Sequence, residues 1–570
     1  MEDRRSPLIL NLWPSFGDVA FLLPITLLFG CMGGVKALLG DCDTGWHIRT
    51  GEWIVANHMV PAHDLFSYSK PDAPWFAWEW LSDVLFAWLN GLGGLRAVVM
   101  FTILLLSITF GLLFRLTRGK SNPIVATLVT FMAAAASAVH WLARPHLFTL
   151  LFVVLFYGAL LEVDEGRTRL AGIPYLAILP VATVVWTNLH GGFFVGILMI
   201  AVYGAGEVLK MALSADRAGW RAGRGKAGRY FLSALGCLAA SLINPYTFRL
   251  HQHMLAYMRD PFTSQHIIEF LSPSFHGPMA IFFESLLVLA AAAACRSCSQ
   301  GRFTEPLLLL MWAHAALLAG RNIPIFAIAA AVPAAHFVQE WLNRVPESNA
   351  AEWLRAAVGS FNRLAARTGE VMAGGSWHVA GVAAVVFVAA VIWAPNPPRK
   401  FRAEFDPQRY PSGALATLRD EPSARIFTDD EWGDYLIWSL YPSQKVFVDG
   451  RSDFYGDDFE EKYIDVLNVR YDWEQILSGF DVDTILMPIN APLSGALKES
   501  SRWHVVFDDG VALVFRSAGR KVASRQDAQH VNDRGTSSSV ARTGNGPGRD
   551  REVTKTQSSD RAITVHQFKT

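Results

Sequence analysis

Two aspartates one residue apart, Asp41 and Asp43, head a polar stretch that continues through His47, Arg49, Glu52, His58, His63, Asp64 and Glu79. Paired carboxylates can do two kinds of chemistry. One can accept a proton from an attacking hydroxyl, and a pair can hold a divalent cation, Mg or Mn, against a phosphate leaving group. Arg144 and Arg321 suit the other half of such a reaction, because a guanidinium binds phosphate oxygens in a bidentate way. His47, Glu79, His146, Asn188 and His190 are further polar groups able to bind a donor or substrate. The set suggests group transfer from a phosphorylated lipid. The plainer alternative keeps Asp41 and Asp43 as solvated residues after a helix end and lets the arginines snorkel to headgroups. His47, Glu52 and His58 then lie on a short amphipathic stretch that makes interfacial contacts.

What must position these groups is a membrane bundle. The chain is 52% hydrophobic and 18% charged, against roughly 25% charged for a soluble domain. Uncharged or nearly uncharged runs of about 15 to 22 residues, enough to cross ~30 Å of hydrocarbon, recur over the first four hundred positions. They are predicted near 19–39, 97–116, 122–142, 146–162, 171–187, 190–209, 229–244, 278–295, 304–320, 322–341 and 377–395. The stretch from Leu170 to Gly206 has no charge and is too long for one span. It is split at Asn188-Leu189-His190-Gly191-Gly192, where two glycines suit a turn. The predicted fold is thus an α-helical polytopic membrane protein of about eleven transmembrane helices, with a small soluble α/β domain near its C-terminus.

Basic residues set the orientation, since short loops rich in Lys and Arg stay in the cytoplasm. With the N-terminus (1–18) inside, the inside loops hold Arg115, Arg118 and Lys120, then Arg167 and Arg169, then the cluster from Lys210 to Arg229, then Arg296 and Arg302, then Arg344 to Arg367. The spans and their loops occupy 19–396. The first outer loop is 40–95. All the candidate site residues then fall on the outer side. A carrier would instead place ionisable groups near mid-bilayer, on broken helices in repeated halves. Glu284 is the main candidate for an intramembrane acid. The first apolar run lacks a small-residue cleavage site and reads as a retained signal anchor.

An odd number of spans puts residues 397–517 outside. That segment alternates β-rich runs (Arg425–Thr428, Lys445–Val448, Thr484–Met487, His504–Phe507 and Ala512–Phe515) with helical stretches, its last two strands joined through Asp508-Asp509-Gly510. Asp449, Arg451, Asp453 and Tyr455 follow one of these runs. They either present polar groups to a ligand or hold their own loop together by Asp-Arg pairs. Residues 518–570 are poor in apolar side chains and read as a disordered tail. Lys+Arg and Asp+Glu balance at 50 each, so no global charge points to nucleic acid. The five cysteines form no disulfide framework, and Cys295 and Cys298 are a CxxC with no second pair.

Three stretches of the first loop carry a resemblance: Asp41-Cys-Asp43-Thr-Gly-Trp-His47-Ile-Arg-Thr-Gly51-Glu-Trp, Pro61-Ala-His-Asp64-Leu-Phe-Ser67, and Trp75-Phe-Ala-Trp-Glu79-Trp. They resemble the corresponding loop of bacterial polytopic proteins placed with the GT-C superfamily of membrane glycosyltransferases. Arg144-Pro145-His146, Trp186-Thr-Asn188-Leu-His190-Gly-Gly, Asn244-Pro245-Tyr246 and Arg321-Asn322-Ile-Pro324 look like later motifs of that group, over about 15–345. Val448-Asp449-Gly450-Arg451-Ser-Asp453-Phe-Tyr455 looks like the soluble domain that follows its spans. The resemblance implies a catalytic base or metal ligand at Asp43 first and Asp41 second. It also implies a polyprenyl-phosphate sugar or a lipid-linked oligosaccharide as donor. The Asp-Cys-Asp order here differs from the Asp-Glu pair of the protein mannosyltransferase and aminoarabinose transferase branches.

The resulting expectation is a bacterial inner-membrane glycosyltransferase moving a sugar from a lipid phosphate to a glycan, lipid or protein acceptor on the outer face. Asp43 would deprotonate the acceptor, Asp41 and Glu79 would hold a cation or orient the base, and Arg144 and Arg321 would bind the donor phosphate. The rival is a non-enzymatic carrier or envelope assembly factor. The two differ in where the polar residues meet.

Overall fold

Each of the eleven apolar runs folds as a helix, because a backbone that leaves water must satisfy its amides within its own segment. In this computed structural model, which describes residues 13–214, 220–277, 279–372 and 378–519, they are Phe16–Gly30, Leu95–Arg118, Pro123–Ser137, His146–Asp164, Tyr175–Leu189, Phe193–Leu213, Trp220–Ala240, Ala280–Ser299, Thr304–Leu318, Ile323–Arg344 and Val379–Ile392. Among the described residues, six helices are long and apolar enough to cross a membrane by length and composition. Four more, of 14 or 15 residues, are apolar but shorter. Trp220–Ala240 carries Arg221, Arg224, Lys226 and Arg229 in its first half. All but the first two residues of the expected tail 518–570, and residues 1–12, lie outside the described residues.

The first helix departs from its predicted span. It ends at Gly30 rather than near Leu39, because Gly33 and Gly34 take positive φ of 85° and 102° and turn the chain out of the helix. The apolar residues that follow form a short 3-10 turn, Val35–Leu39, whose Lys36 pairs with Asp406 at 3.1 Å and Glu404 at 3.5 Å. The long run does split where two glycines suggested. Helix Tyr175–Leu189 ends, His190 is extended, and Phe193–Leu213 begins.

Successive helices alternate direction, so the turns 141–145, 190–192, 241–279 and 319–322 gather at the end of the bundle that carries the first loop. Hydrogen bonds fasten them there. Ala143 N donates to Leu38 O at 2.7 Å, Ser82 Oγ to Leu189 O at 2.6 Å, and Gly320 N to Leu271 O at 2.9 Å. The loop itself is built on two helices, Asp43–Asn57 and Trp80–Gly93. They cross so closely that a Cβ at Gly51 would lie 1.9 Å from the carbonyl oxygen of Asp83. Near the other end, Glu352–Met372 connects the last two apolar helices. It buries Val358 and Ala365 while leaving Trp353 73% exposed beside three exposed arginines, Arg355, Arg363 and Arg367.

The C-terminal segment contains a four-stranded sheet. Ile426–Phe427 runs parallel to Thr484–Pro488, which pairs antiparallel with Ala512–Ser517, and that strand pairs with Trp503–Asp508 across a hairpin whose Gly510 has φ 82°. The run Lys445–Val448 does not join this sheet. Val446 instead pairs with Ser67 of the first loop, exchanging bonds with Phe66 O and Tyr68 N at 2.9 Å each. A β-rich run takes whichever edge is free, and here the first loop offers it.

The two segments are locked by one buried cation. Arg451 donates to Asp64 Oδ1 and Asp449 Oδ2 at 2.7 Å each, is 4.5 Å from the ring of Trp75, and is closed off by Phe66 and Phe454. Tyr455 adds a bond to Asp449 at 2.9 Å, and Asp453 meets His253 at 2.8 Å. Of the two readings of this cluster, internal pairing is the one the geometry shows.

Candidate active site

Asp43 is the first residue of helix Asp43–Asn57, where the unpaired amides favour negative charge. Asp41 Oδ1 accepts the Asp43 amide at 2.7 Å, fixing the aspartates relative to each other. Arg144 then spans both. Its Nη1 lies 2.9 Å from Asp41 Oδ2 and its Nη2 2.8 Å from Asp43 Oδ2. The arginine is aimed by its loop, since Thr44 Oγ1 donates to the neighbouring Ala143 carbonyl at 2.9 Å.

Glu269, from the turn 241–279, continues the cluster. It sits 3.7 Å from Arg144, 3.4 Å from Arg321 and 3.5 Å from His140. Burial opposes its ionisation, but the guanidinium groups of Arg321 and then Arg144 outweigh burial and hold the carboxyl down at about 2. Arg321 is itself stacked 4.3 Å from the ring of Phe270. Residues from four separate turns thus form one continuous ionic chain, Asp43–Arg144–Glu269–Arg321.

A second carboxyl reaches Asp43 from the far end of the sequence. Asp434, on helix Asp430–Leu440, faces Asp43 across Gly450. Gly450 N donates to both Asp434 oxygens, at 3.1 and 3.2 Å. A Cβ at Gly450 would lie 2.5 Å from Asp43 Oδ1 and 2.7 Å from Asp434 Oδ2, so only glycine leaves room for the contact. Burial, aided by the neighbouring charge of Asp41, pushes the Asp43 carboxyl well up despite Arg144; burial and Asp43 push Asp434 up as well.

Beside this chain lies a mostly neutral relay. Asp83 Oδ1 meets His47 Nδ1 at 2.6 Å, and Glu79 lies between His47 Nε2 at 3.6 Å and His190 Nε2 at 3.3 Å. His190 Nδ1 accepts from Gly192 N at 2.9 Å and from Thr149 Oγ1 at 2.8 Å, which leaves Nε2–H facing Glu79. Burial pushes Glu79 up to about 8. Burial, with Arg321 and Arg144 nearby, drives His190 down to about 3.

The predicted site residues therefore separate into groups. Asp41, Asp43, Arg144 and Arg321 meet directly or through Glu269, while His47, Glu79 and His190 form the relay. His47 is fully buried rather than interfacial; its neighbour in that expectation, His58, is exposed at the helix end. Asn188 spends its amide on protein. Its Nδ2 donates to Val184 O and Ile243 O, and its Oδ1 accepts from Trp80 Nε1, all at 2.8 Å. It borders an apolar groove of about 440 Å³ lined by Trp80, Leu81, Val184, Val185 and Ile243. His146 bonds the carbonyl of His140 at 2.8 Å through Nε2, leaving a buried Nδ1 without a hydrogen-bond partner. Glu284, half-buried in its helix, pairs with none of these groups.

Sequence reasoning assigned no role to Asp434, Asp83, Glu269, Thr149 or His140. Asp83 carried a signal, four residues after Glu79 on the same helical face. A divalent cation fits the aspartate pair poorly, because Arg144 already occupies the place between Asp41 and Asp43. No group of three His, Cys, Asp or Glu side chains among the described residues is arranged to hold a metal.

No family profile and no curated protein matches the chain. Solved structures do. The oligosaccharyltransferase of Archaeoglobus fulgidus, tethered with an acceptor peptide containing the NVT sequon, superposes with a TM-score of 0.52 at 12% identity, over 88% of this chain and 74% of that one. AglB, the oligosaccharyltransferase from the same archaeon in complex with an inhibitory peptide and a dolichol-phosphate, gives 0.49 at 12% identity over 89% and 74%. ArnT from Cupriavidus metallidurans in the apo state gives 0.41 at 14% identity over 87% and 97%. The first of these carries the fold assignment: the chain shares the fold of that oligosaccharyltransferase.

Proposed function

We propose that this chain, built on a GT-C fold, is a glycosyltransferase that moves a sugar from a polyprenyl-phosphate donor to a hydroxyl acceptor at the first-loop end of the bundle. The observation that carries the reading is the ionic chain Asp43–Arg144–Glu269–Arg321, which draws a base and two phosphate-binding groups from four turns to one place. A carrier would be expected to gather its charges near mid-bilayer.

In the reaction, the acceptor oxygen attacks the anomeric carbon and its proton passes to Asp43. The bond from that carbon to the phosphate oxygen breaks, and the electron pair leaves on the lipid phosphate. A single displacement inverts the anomeric centre. Arg321, which faces the looser partner Glu269, and Arg144 neutralise the departing phosphate. Positioning supplies much of the rate, since a phosphate on a lipid is already a good leaving group. The groove beside Trp80 and Val184 offers apolar surface for the prenyl tail, one residue from Glu79 and two from His190.

Arginines and lysines at the opposite end, Arg115, Arg118, Lys120, Arg167 and Arg344 among them, support an orientation with the site on the outer face of a bacterial inner membrane. Residues 397–517 then form an outer lobe that helps select the acceptor. Mass spectrometry of envelope glycans and lipid-linked sugars in a deletion strain tests the reading. One glycan modification should vanish while its lipid-linked sugar accumulates; unchanged profiles would overturn it.

A further inference from the structure

The first half of helix Trp220–Ala240 holds Arg221, Arg224, Lys226 and Arg229, and the helix contains no acid. Lys226 points into the bundle, where it meets Asp164 at 2.6 Å and Glu207 at 2.7 Å. Asp164 closes helix His146–Asp164, whose other end lies at the candidate site, so this basic half stands at the far end of the bundle. Arg221, Arg224 and Arg229 are exposed, and among the described residues no acidic side chain pairs with them. Other cations at that end do have partners: Lys120 and Arg167 pair with Glu165, and Arg296 and Arg344 with Glu340. At 3.6 residues per turn, Arg221, Arg224, Leu232 and Leu235 fall within about 80° of one another, with Leu232 about 12 Å along the axis from Arg224. One face thus passes from arginine to leucine. Leu232 is 70% and Leu235 62% exposed. Nothing of the chain lies within 4 Å of a Cβ placed on Gly225 or Gly228, so the arginine face is sterically open.

We propose that this face seats anionic phospholipid headgroups, of the phosphatidylglycerol type, in the leaflet at the end of the bundle away from the candidate site. The leucines meet acyl chains, and a chain packed on Leu232 carries its phosphate further along the same face, level with the arginines. A guanidinium binds phosphate oxygens in a forked way, and unpaired arginines at a membrane surface are drawn to anionic lipid. A zwitterionic headgroup brings its own ammonium and offers them less. The two other occupants fit worse. A second copy of the chain would set its own arginines against these, like charge on like. A nucleic acid would meet the arginines but leave bare the leucines that continue their face. The proposal concerns lipid contact alone and does not rest on the transfer reading.

The test is quenching of a bimane attached through Leu232→Cys in the full-length chain, with Cys31→Ser, Cys295→Ser and Cys298→Ser to keep the label at one site. The protein is placed in phosphatidylcholine nanodiscs carrying nitroxide-labelled phosphatidylglycerol or, at the same mole fraction, nitroxide-labelled phosphatidylcholine. Quenching should give phosphatidylglycerol a local association constant at least about fivefold higher, the factor one arginine supplies near an anionic surface. Equal quenching by the two lipids overturns the proposal. Adding Arg221→Gln, Arg224→Gln and Arg229→Gln should make the lipids equal, and an unchanged preference there also overturns it. Lysine at the same three positions keeps the charge and should keep a preference, which separates loss of charge from loss of fold; its disappearance counts against an electrostatic seat. Salt at about 0.5 M should weaken the preference with no substitution among the arginines, and a preference unmoved by salt overturns the proposal. Binding of a short DNA duplex without any preference between the lipids would do the same.

Discussion

Arg144 grips Asp43 through a 2.8 Å ion pair while holding Asp41 with its other nitrogen, so a single guanidinium sets the positions of both acids. Asp43→Asn keeps the shape and a hydrogen-bond acceptor for Arg144 but removes the charge a base needs. Transfer from a polyprenyl-phosphate sugar should fall at least ~100-fold at unchanged protein level. Asp41→Asn retains the amide cap on Asp43 and should cost less. Full activity in the Asp43 variant would remove it from the reaction.

Arg321→Lys keeps the charge and loses both the forked geometry and the stacking on Phe270. The expected outcome is a KM for the donor raised about tenfold with kcat changed less, since lysine keeps the charge that neutralises the departing phosphate and loses the forked contact that holds the bound donor. Steady-state kinetics at varied donor concentration separates the two. A fall in kcat at constant KM would show that the fork acts in the transition state alone and does not hold the bound donor.

Glu79 gives a pH-dependent stability. Its carboxyl is raised from an ordinary 4.5 to about 8 by burial, so folding disfavours its charged form. The penalty is absent below about pH 4.5, grows as pH rises, and is fully present above about 8. Glu79→Gln removes it. The melting temperature of the variant relative to wild type should therefore increase from pH 5 to pH 8, and a constant difference would show that Glu79 ionises freely.

Arg451 is enclosed by three rings and two carboxylates, and its side chain is 1% exposed. Arg451→Met leaves Asp64 and Asp449 buried without their cation and should destabilise the protein by ~3–5 kcal/mol. Adding Asp64→Asn and Asp449→Asn to that variant should recover part of the loss. Thermal unfolding in detergent measures both, and equal stability of the single and triple variants would show that the acids are indifferent to the arginine.

What could be read in the sequence follows the range of the interactions. The apolar helices were legible because length and hydropathy are local, and Gly191-Gly192 marked the split after Leu189. The end of the first helix carried the same signal, a glycine pair at Gly33-Gly34 followed by Lys36, but the apolar Ala37-Leu38-Leu39 beyond it prolonged the predicted span. Asp41, Asp43, Arg144 and Arg321 could be grouped by residue type and by side of the membrane. Asp434 could not. An acid between glycine and tyrosine in a soluble-looking segment is by composition a surface residue, and its contact with Asp43 lies almost four hundred positions away. His47 was misplaced for a related reason: a histidine on a polar helical stretch gives no sign that Glu79 and Asp83 will enclose it. Lys445–Val448 had the composition of a strand, but composition does not say which edge a strand will find.

The lock between Asp64 and Arg451 also imposes an order on the making of the protein. Its two halves are separated by 387 residues of synthesis, about 20–80 s at 5–20 residues per second. Throughout that interval the first loop holds an acid whose burial awaits a cation not yet translated. Nascent chains interrupted before residue 451 therefore lack the cation that closes the first loop.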